Sequence, residues 1–136
     1  LSQSFSRMNG WRGVRIRSAP FEALKERGLN LITNDALRFR LISLYEDHFD
    51  RLRSSSENQE EFVANHSLPY FLKHFRRTET QDWVPHDYQF IKSDGVVANM
   101  ARWRVFTIEA FQLPAYERTL ESIDEVIRMI DLEIED

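Results

Sequence analysis

Asn34 reads as a helix cap, and from it onward ring-bearing and aliphatic side chains recur at steps of three and four. Leu37, Leu41, Leu44, Tyr45, His48, Phe49 and Leu52 therefore share one face of a helix. Arg38, Arg40, Asp47, Asp50, Arg51 and Arg53 fall mainly on the other side, while Phe39 and Ile42 widen the apolar arc, so this helix is expected to be buried on most sides. Ser54, Ser55 and Ser56 dilute the pattern. Ser56 with Gln59 fits a capping box, so either a new helix starts there or a long one continues through a polar turn. Helical spacing returns with Phe62, Val63, His66 and Tyr70, and then Leu68, Phe71, Leu72 and Phe75, up to Arg76. Pro69 interrupts it; a proline lacks the amide donor and crowds the carbonyl before it, which predicts a kink or a restart.

A second helical stretch reads from Val96 to Leu113 through Val97, Met100, Trp103, Ile108 and Phe111. Pro114 then sits where a first helical turn accepts it, so a further helix is expected to begin at once. Tyr116, Leu120, Ile123, Ile127, Ile130 and Ile134 follow at alternating steps of four and three, the seam repeat of antiparallel packing or a coiled coil. Side chains of this kind contribute about 1.5–3 kcal/mol each when fully buried, so the stripe is expected to be covered, by the same chain or by a second copy. Asp131, Glu133, Glu135 and Asp136 collect at the negative end of the helix dipole, which predicts a frayed last turn.

The remaining stretches carry no sustained period. Residues 1–19 read as an irregular lead-in tacked down by Trp11, Val14 and Ile16. Ser18, Pro20 and Glu22 mark a helix start, with the Ser18 oxygen as the cap, and Gly28 marks its stop, giving a short helix over Pro20 to Arg27. Residues 77–95, rich in Thr, Gln, Asp, Pro and His and ending in Ser93, Asp94 and Gly95, read as one long loop. The resulting expectation is a single all-α domain over residues 1–136. Four or five helices form an antiparallel bundle, with the Asn34 to Arg76 segment and the Val96 to Asp136 pair around a Phe-rich core.

Composition narrows the picture. With 136 residues, one domain is the natural length, and four glycines and four prolines are too few for the frequent turns of a small β-sandwich. Cysteine is absent, which removes disulfides, thiolate metal sites and cysteine nucleophiles together. The net charge of −4 argues against a general polyanion binder. The charge is uneven, however: Arg7, Arg12, Arg15 and Arg17 occupy a start without acids, whereas the stretch from Pro114 on holds eight acids against Arg118 and Arg128. No apolar run is long enough to span a bilayer and no leader pattern is present, so a soluble fragment is expected. The start at Leu1 suggests a piece of a longer protein, and any membrane contact is expected only through a segment absent from this chain.

Chemistry is sparse. Glu46, Asp47 and His48 lack the Glu and His spacing of a di-iron site, and His48 lies on the apolar stripe, so it reads as a hydrogen-bonded core residue. His86 and Asp87 supply two possible metal ligands and no third in register. No serine elbow or phosphate-cradling glycine loop occurs, so no catalytic residue, metal or cofactor is assigned. Trp83, His86 and Tyr88 are the candidate ligand contacts if the loop borders a small-molecule pocket of a receptor or enzyme. Arg12, Arg15 and Arg17, with Trp11 beside them, are the candidate anion contacts, suited to phosphates, and the alternative function they carry is a nucleic-acid contact through this arm. The plainer readings are an arginine arm packed on acidic helices, with no nucleic acid expected, and Trp83 and Trp103 as packing anchors.

The stretch Phe21, Glu22, Ala23, Leu24, Lys25, Glu26, Arg27, Gly28, Leu29, Asn30, Leu31, Ile32, Thr33, Asn34, Asp35, Ala36, Leu37, Arg38 resembles an uncharacterised family of bacterial single-pass membrane proteins. The ending Ile123 to Glu135 is similar to that family's closing helix. The resemblance covers about a third of the chain. It implies a helical domain outside the cytoplasmic membrane, tethered by an N-terminal transmembrane helix, with no assigned reaction, cofactor or catalytic residue. This chain departs from it in lacking the anchor and in its arginine-rich start. The functional expectation is a non-catalytic interaction or sensory module that engages a protein partner or a second copy of itself.

Overall fold

The computed structural model describes residues 2–10 and 13–135. It is all-α: 80% is helical, in five runs, with one small two-stranded sheet among the described residues. Helix α1 is Ser2–Met8 and α2 is Ala19–Arg27. A 3-10 turn, Leu29–Leu31, leads to a run made of α3 (Asp35–Ser43), α4 (Phe49–Phe62) and α5 (Leu68–His74). Strands β1 (Phe75–Arg77) and β2 (Trp83–Pro85) follow, then α6 (Tyr88–Ser93), and finally a run made of α7 (Gly95–Thr107) and α8 (Leu113–Glu135).

The segments within each long run are joined by π-helical turns, at Leu44–His48, Val63–Ser67 and Ile108–Gln112. Two of these lie just upstream of a Leu-Pro pair: Leu68 and Pro69 open α5, and Leu113 and Pro114 open α8. A proline ring inside a helix collides with the carbonyl four residues back and leaves it without a donor. The wider turn absorbs that conflict, with the Leu68 amide donating to the Val63 carbonyl, so the helix neither stops nor restarts at Pro69. The same device carries α7 into α8 without the break expected before Pro114.

The chain divides into two compact units: residues up to Gly13 with Ser56–Phe111, and Val14–Ser55 with the residues from Gln112 on. In the first unit the core is Phe71, Phe75, Trp83 and Ile91, with Phe5, Met8, Tyr70, Val97 and Met100 packed against it. Phe71, fully buried, stacks on Phe75 at 4.4 Å between ring centroids and meets the edge of Trp83 at 5.5 Å. Phe5 of α1 caps this cluster, 5.0 Å from Phe75. The lead-in is therefore partly helical. The Ser6 hydroxyl accepts the Trp83 amide and donates to Asp82, each at 3.1 Å, and Asn9 accepts from the buried Ser67 at 2.9 Å.

The expected long loop at 77–95 is instead a hairpin and a capped helix. The strands pair antiparallel, with Phe75 opposite Pro85 and Arg77 opposite Trp83. Their turn is closed by the Gln81 amide on the Thr78 carbonyl at 3.0 Å, and Gln81 takes a left-handed φ of 65° that a side chain tolerates only at a cost. Three-residue strands are too short to display a period of two, which is why the sequence shows only a loop there. Asp87 then caps α6, accepting the Gln89 and Phe90 amides at 2.7 and 3.1 Å.

In the second unit α3 and α8 run antiparallel. Asn34 donates to Glu133 at 2.9 Å, and six residues along α3 Arg40 pairs with Glu125 at 3.1 Å. Leu37, Leu44 and Val126 form the core between them. Phe21 of α2 stacks on Tyr45 at 4.2 Å, and Tyr45 meets Phe49 edge-on at 5.0 Å, so a ladder of rings joins α2 to the long run. Gly28 ends α2 with φ 102°, and Asn34 caps α3 by accepting the Leu37 amide at 3.1 Å, both as the sequence indicates.

One expected cap differs. Ser18 sits in helical conformation and makes no side-chain capping bond, so α2 starts at the expected place without it. Ser56 and Gln59 lie inside α4, so of the two readings left open there the long helix continues through the polar turn; Gln59 is buried and accepts a hydrogen bond from Arg104, whose other branch donates to the Gly10 carbonyl at 2.9 Å.

Phe71→Ala is expected to destabilise the protein by about 3–5 kcal/mol, while the neighbouring exposed Leu72→Ala stays within about 0.5 kcal/mol, both read from urea unfolding midpoints. By the same measurement Asn34→Ala should cost about 1 kcal/mol. Ser18→Ala should cost almost nothing, because its hydroxyl caps nothing.

Candidate functional site

Helix α8 carries two stripes at steps of three and four, and the structure buries the less apolar one. Ala115, Thr119, Ser122 and Val126 face inward, with Met129 and Ile130 packed against the core farther on. The buried Thr119 hydroxyl is satisfied within its own helix by the Ala115 carbonyl at 2.7 Å. The stripe expected to be covered lies one residue further along, about 100° round the helix. Ile123 and Ile130 form its half-buried inner edge. Tyr116, Leu120, Ile127 and Ile134 are exposed, Leu120 at 59%, Ile127 at 49% and Ile134 at 76%.

Leu113, also exposed, extends the stripe. Leu113, Leu120, Ile127 and Ile134 then recur every seventh residue, with Tyr116, Ile123 and Ile130 between them, which is an unbroken a/d heptad seam along a helix of 23 residues. Such a helix is about 34 Å long. Immediately beyond each of the three d residues, on the side away from the buried face, stands an exposed acid: Glu117, Asp124 and Asp131. This column was legible as acids seven residues apart, but it gains meaning only once the seam beside it is known to face outward.

The second unit also holds two grooves. One, of about 300 Å³, is lined by Phe21, Tyr45, Glu22, Glu46, Asp50 and Arg53. At its α2 side Lys25 reaches Glu46 at 3.0 Å and Glu22 at 3.5 Å; the hydrogen bond to Glu46 in particular holds the amine above its usual pKa. The other, of about 320 Å³, is lined by Arg40, His48, Arg118, Arg128, Glu121 and Glu125. Its cations are already engaged: Arg40 with Glu125, Arg118 with the Pro114 carbonyl at 3.2 Å, and Arg128 with the Asp124 carbonyl at 3.3 Å. His48 lies half-buried at the groove's edge and is not a core residue, because the π-helical turn that contains it shifts the register of the helical face.

The other sequence candidates are dispersed. Trp83 is a core side chain, its ring covered by Phe71 and by the Arg77 guanidinium at 5.0 Å. His86 and Tyr88 are exposed after β2, so the three do not line a common surface. Arg12 lies outside the described residues, as does Trp11; Arg15 and Arg17 are exposed in the second unit, whereas Arg7 belongs to α1 in the first. Trp103 is not a buried anchor; it is half-exposed and tilted against Phe106 on α7. Among the described residues no three His, Asp or Glu side chains converge to hold a metal ion, and no helix is long and apolar enough to cross a membrane.

The sharpest electrostatic feature is in the first unit. One oxygen of Asp94 caps α7 through the Val96 amide at 2.9 Å, and the other accepts the Tyr70 hydroxyl. The Tyr70 bond and then the cap hold the Asp94 carboxyl below its usual pKa, while burial, followed by the bond to Asp94, pushes the Tyr70 phenol well above its own. His74, beside Tyr70 and stacked on Phe90 at 5.0 Å, adds a smaller attraction for the carboxylate. The pair clasps α5 to the start of α7.

No protein-family model, curated protein or solved structure matches the chain.

The clasp predicts a stability window. Asp94 is held below its ordinary value of 3.8, so its contribution is present above that pH and disappears as pH falls through the lowered folded value. Tyr70 is held above 10.0, so its contribution is present below that pH and disappears as pH rises through the raised folded value. Urea midpoints of the wild type and Asp94→Asn, compared from pH 5 to 2, should converge as the acid limit is approached.

Proposed function

We propose that this chain is a non-catalytic helical interaction module that engages a partner protein through the outer face of α8. The observation that carries the reading is the heptad seam from Leu113 to Ile134, left open on the side away from α3. Contiguous apolar surface of this kind is uncommon on proteins that act alone, and its heptad geometry suits another helix. Exposing Leu120 and Ile127 to water forgoes the stabilisation their burial would bring, and a partner restores it. The resemblance of Phe21–Arg38 to bacterial single-pass membrane proteins supports a setting beyond the cytoplasmic membrane, with the anchor supplied by a segment outside this chain.

The test is a titration of the full chain with a labelled three-heptad peptide carrying a Leu and Ile seam and uncharged glutamine flanks, read by fluorescence anisotropy. The expected result is saturable binding that is lost in Leu120→Asp and Ile127→Asp variants of unchanged helicity. The absence of any association that depends on Leu120, with this peptide or with a second copy, overturns the reading. So does a catalytic turnover abolished by a single substitution.

A further inference from the structure

The outer stripe of α8 is bordered by two unlike flanks. On one side run Thr119 and Val126, both buried and therefore occupied by the protein itself. On the other side stand Glu117, Asp124 and Asp131, all exposed, and none forms an ion pair among the described residues. Arg128, one position further round, directs its Nε to the Asp124 backbone carbonyl at 3.3 Å. A helix lying on the seam thus meets apolar side chains along its middle and a row of carboxylates along its one free edge.

In heptad terms the acids occupy the e positions, which set the choice and orientation of a partner through charge. A second copy of this chain fits poorly in either direction. Antiparallel, the two e columns face each other, with Glu117 opposite Asp131 and Asp124 opposite itself, so like charges oppose along the length. Parallel, each e column faces the partner's g positions, and Thr119 and Val126 among these are already packed inward. An anionic lipid surface is repelled by the same column. Lysines or arginines on an incoming helix would instead reach carboxylates that have no other ion pair among the described residues.

We infer that the partner of this face is an amphipathic helix whose apolar seam is bordered by lysine or arginine, paired with Glu117, Asp124 and Asp131. This rests on the reading of α8 as a docking face and adds the chemical class of what docks there. Because the acids are exposed at the rim, they select among partners and speed their encounter, while the aliphatic seam supplies most of the adhesion.

The experiment uses the full chain and three labelled three-heptad peptides with the same Leu and Ile seam, flanked by lysine, glutamine or glutamate. Anisotropy is read at about 0.01 and 0.15 M salt, where the screening length falls from about 30 to about 8 Å. The lysine peptide should bind at least about tenfold more tightly than the glutamate peptide at low salt, with the gap narrowing at high salt. The triple substitution Glu117→Lys, Asp124→Lys, Asp131→Lys, on exposed positions, should reverse the order. Leu120→Asp should abolish binding of all three.

Equal binding of the three peptides that still depends on Leu120 overturns the basic partner and leaves the docking face standing. A Leu120-dependent dimer in sedimentation equilibrium, or Leu120-dependent binding to phosphatidylglycerol vesicles in place of the peptides, also overturns it. Absence of every Leu120-dependent association overturns both readings.

Discussion

The antiparallel seating of α8 on the long run that begins with α3 governs the second unit. Ala115, Thr119, Ser122 and Val126 are turned inward, Leu37 and Leu44 pack with Val126, and Arg40 reaches Glu125. Because the small face is turned inward, the isoleucine and leucine seam beside it is turned outward. The antiparallel pairing, the position of the two grooves and the candidate interaction face all follow from that one choice of orientation.

Continuity of the two long helical runs depends on local widening of the helix. Leu-Pro pairs at Pro69 and Pro114 would each interrupt an α-helix, and both are preceded by a π-helical turn that lets the run go on. The third such turn, at Leu44–His48, has no proline beside it but lies where Tyr45 stacks on Phe21. There Tyr45 and Phe49, four residues apart, extend the ring ladder from Phe21, and His48 lies at a groove edge.

The first unit is held by a different means. Aromatic rings, Phe71 above all, make its centre, and side-chain hydrogen bonds fasten the N-terminal residues to it: Ser6 to the hairpin, Asn9 to Ser67, and Gly10 to Arg104. Arg104 is partly buried, which lowers its pKa from the usual arginine value, and it spends its donors on Gln59 and the Gly10 carbonyl. These contacts join residues far apart in the chain, so no local pattern announces them, and α1 looks shapeless when Ser2 to Met8 is read alone.

The amino-acid order by itself determined that the protein is helical, where the long helices run, that Gly28 ends α2 and that Asn34 caps α3. Each of these is a local matter, set by spacing of a few residues or by one side chain beside its own backbone. It also displayed the heptad seam of α8, complete with its acidic edge. Only the tertiary structure decided which of two adjacent stripes on α8 is buried, that residues 75–93 pair and coil into a hairpin and a capped helix, and that Trp83 belongs to the core while Trp103 does not. Periodicity fixes what a helical face is made of. Which way that face points is settled by contacts with segments distant in the chain, and here Leu37 and Leu44 pack against Val126 while Leu120 and Ile127 stay exposed.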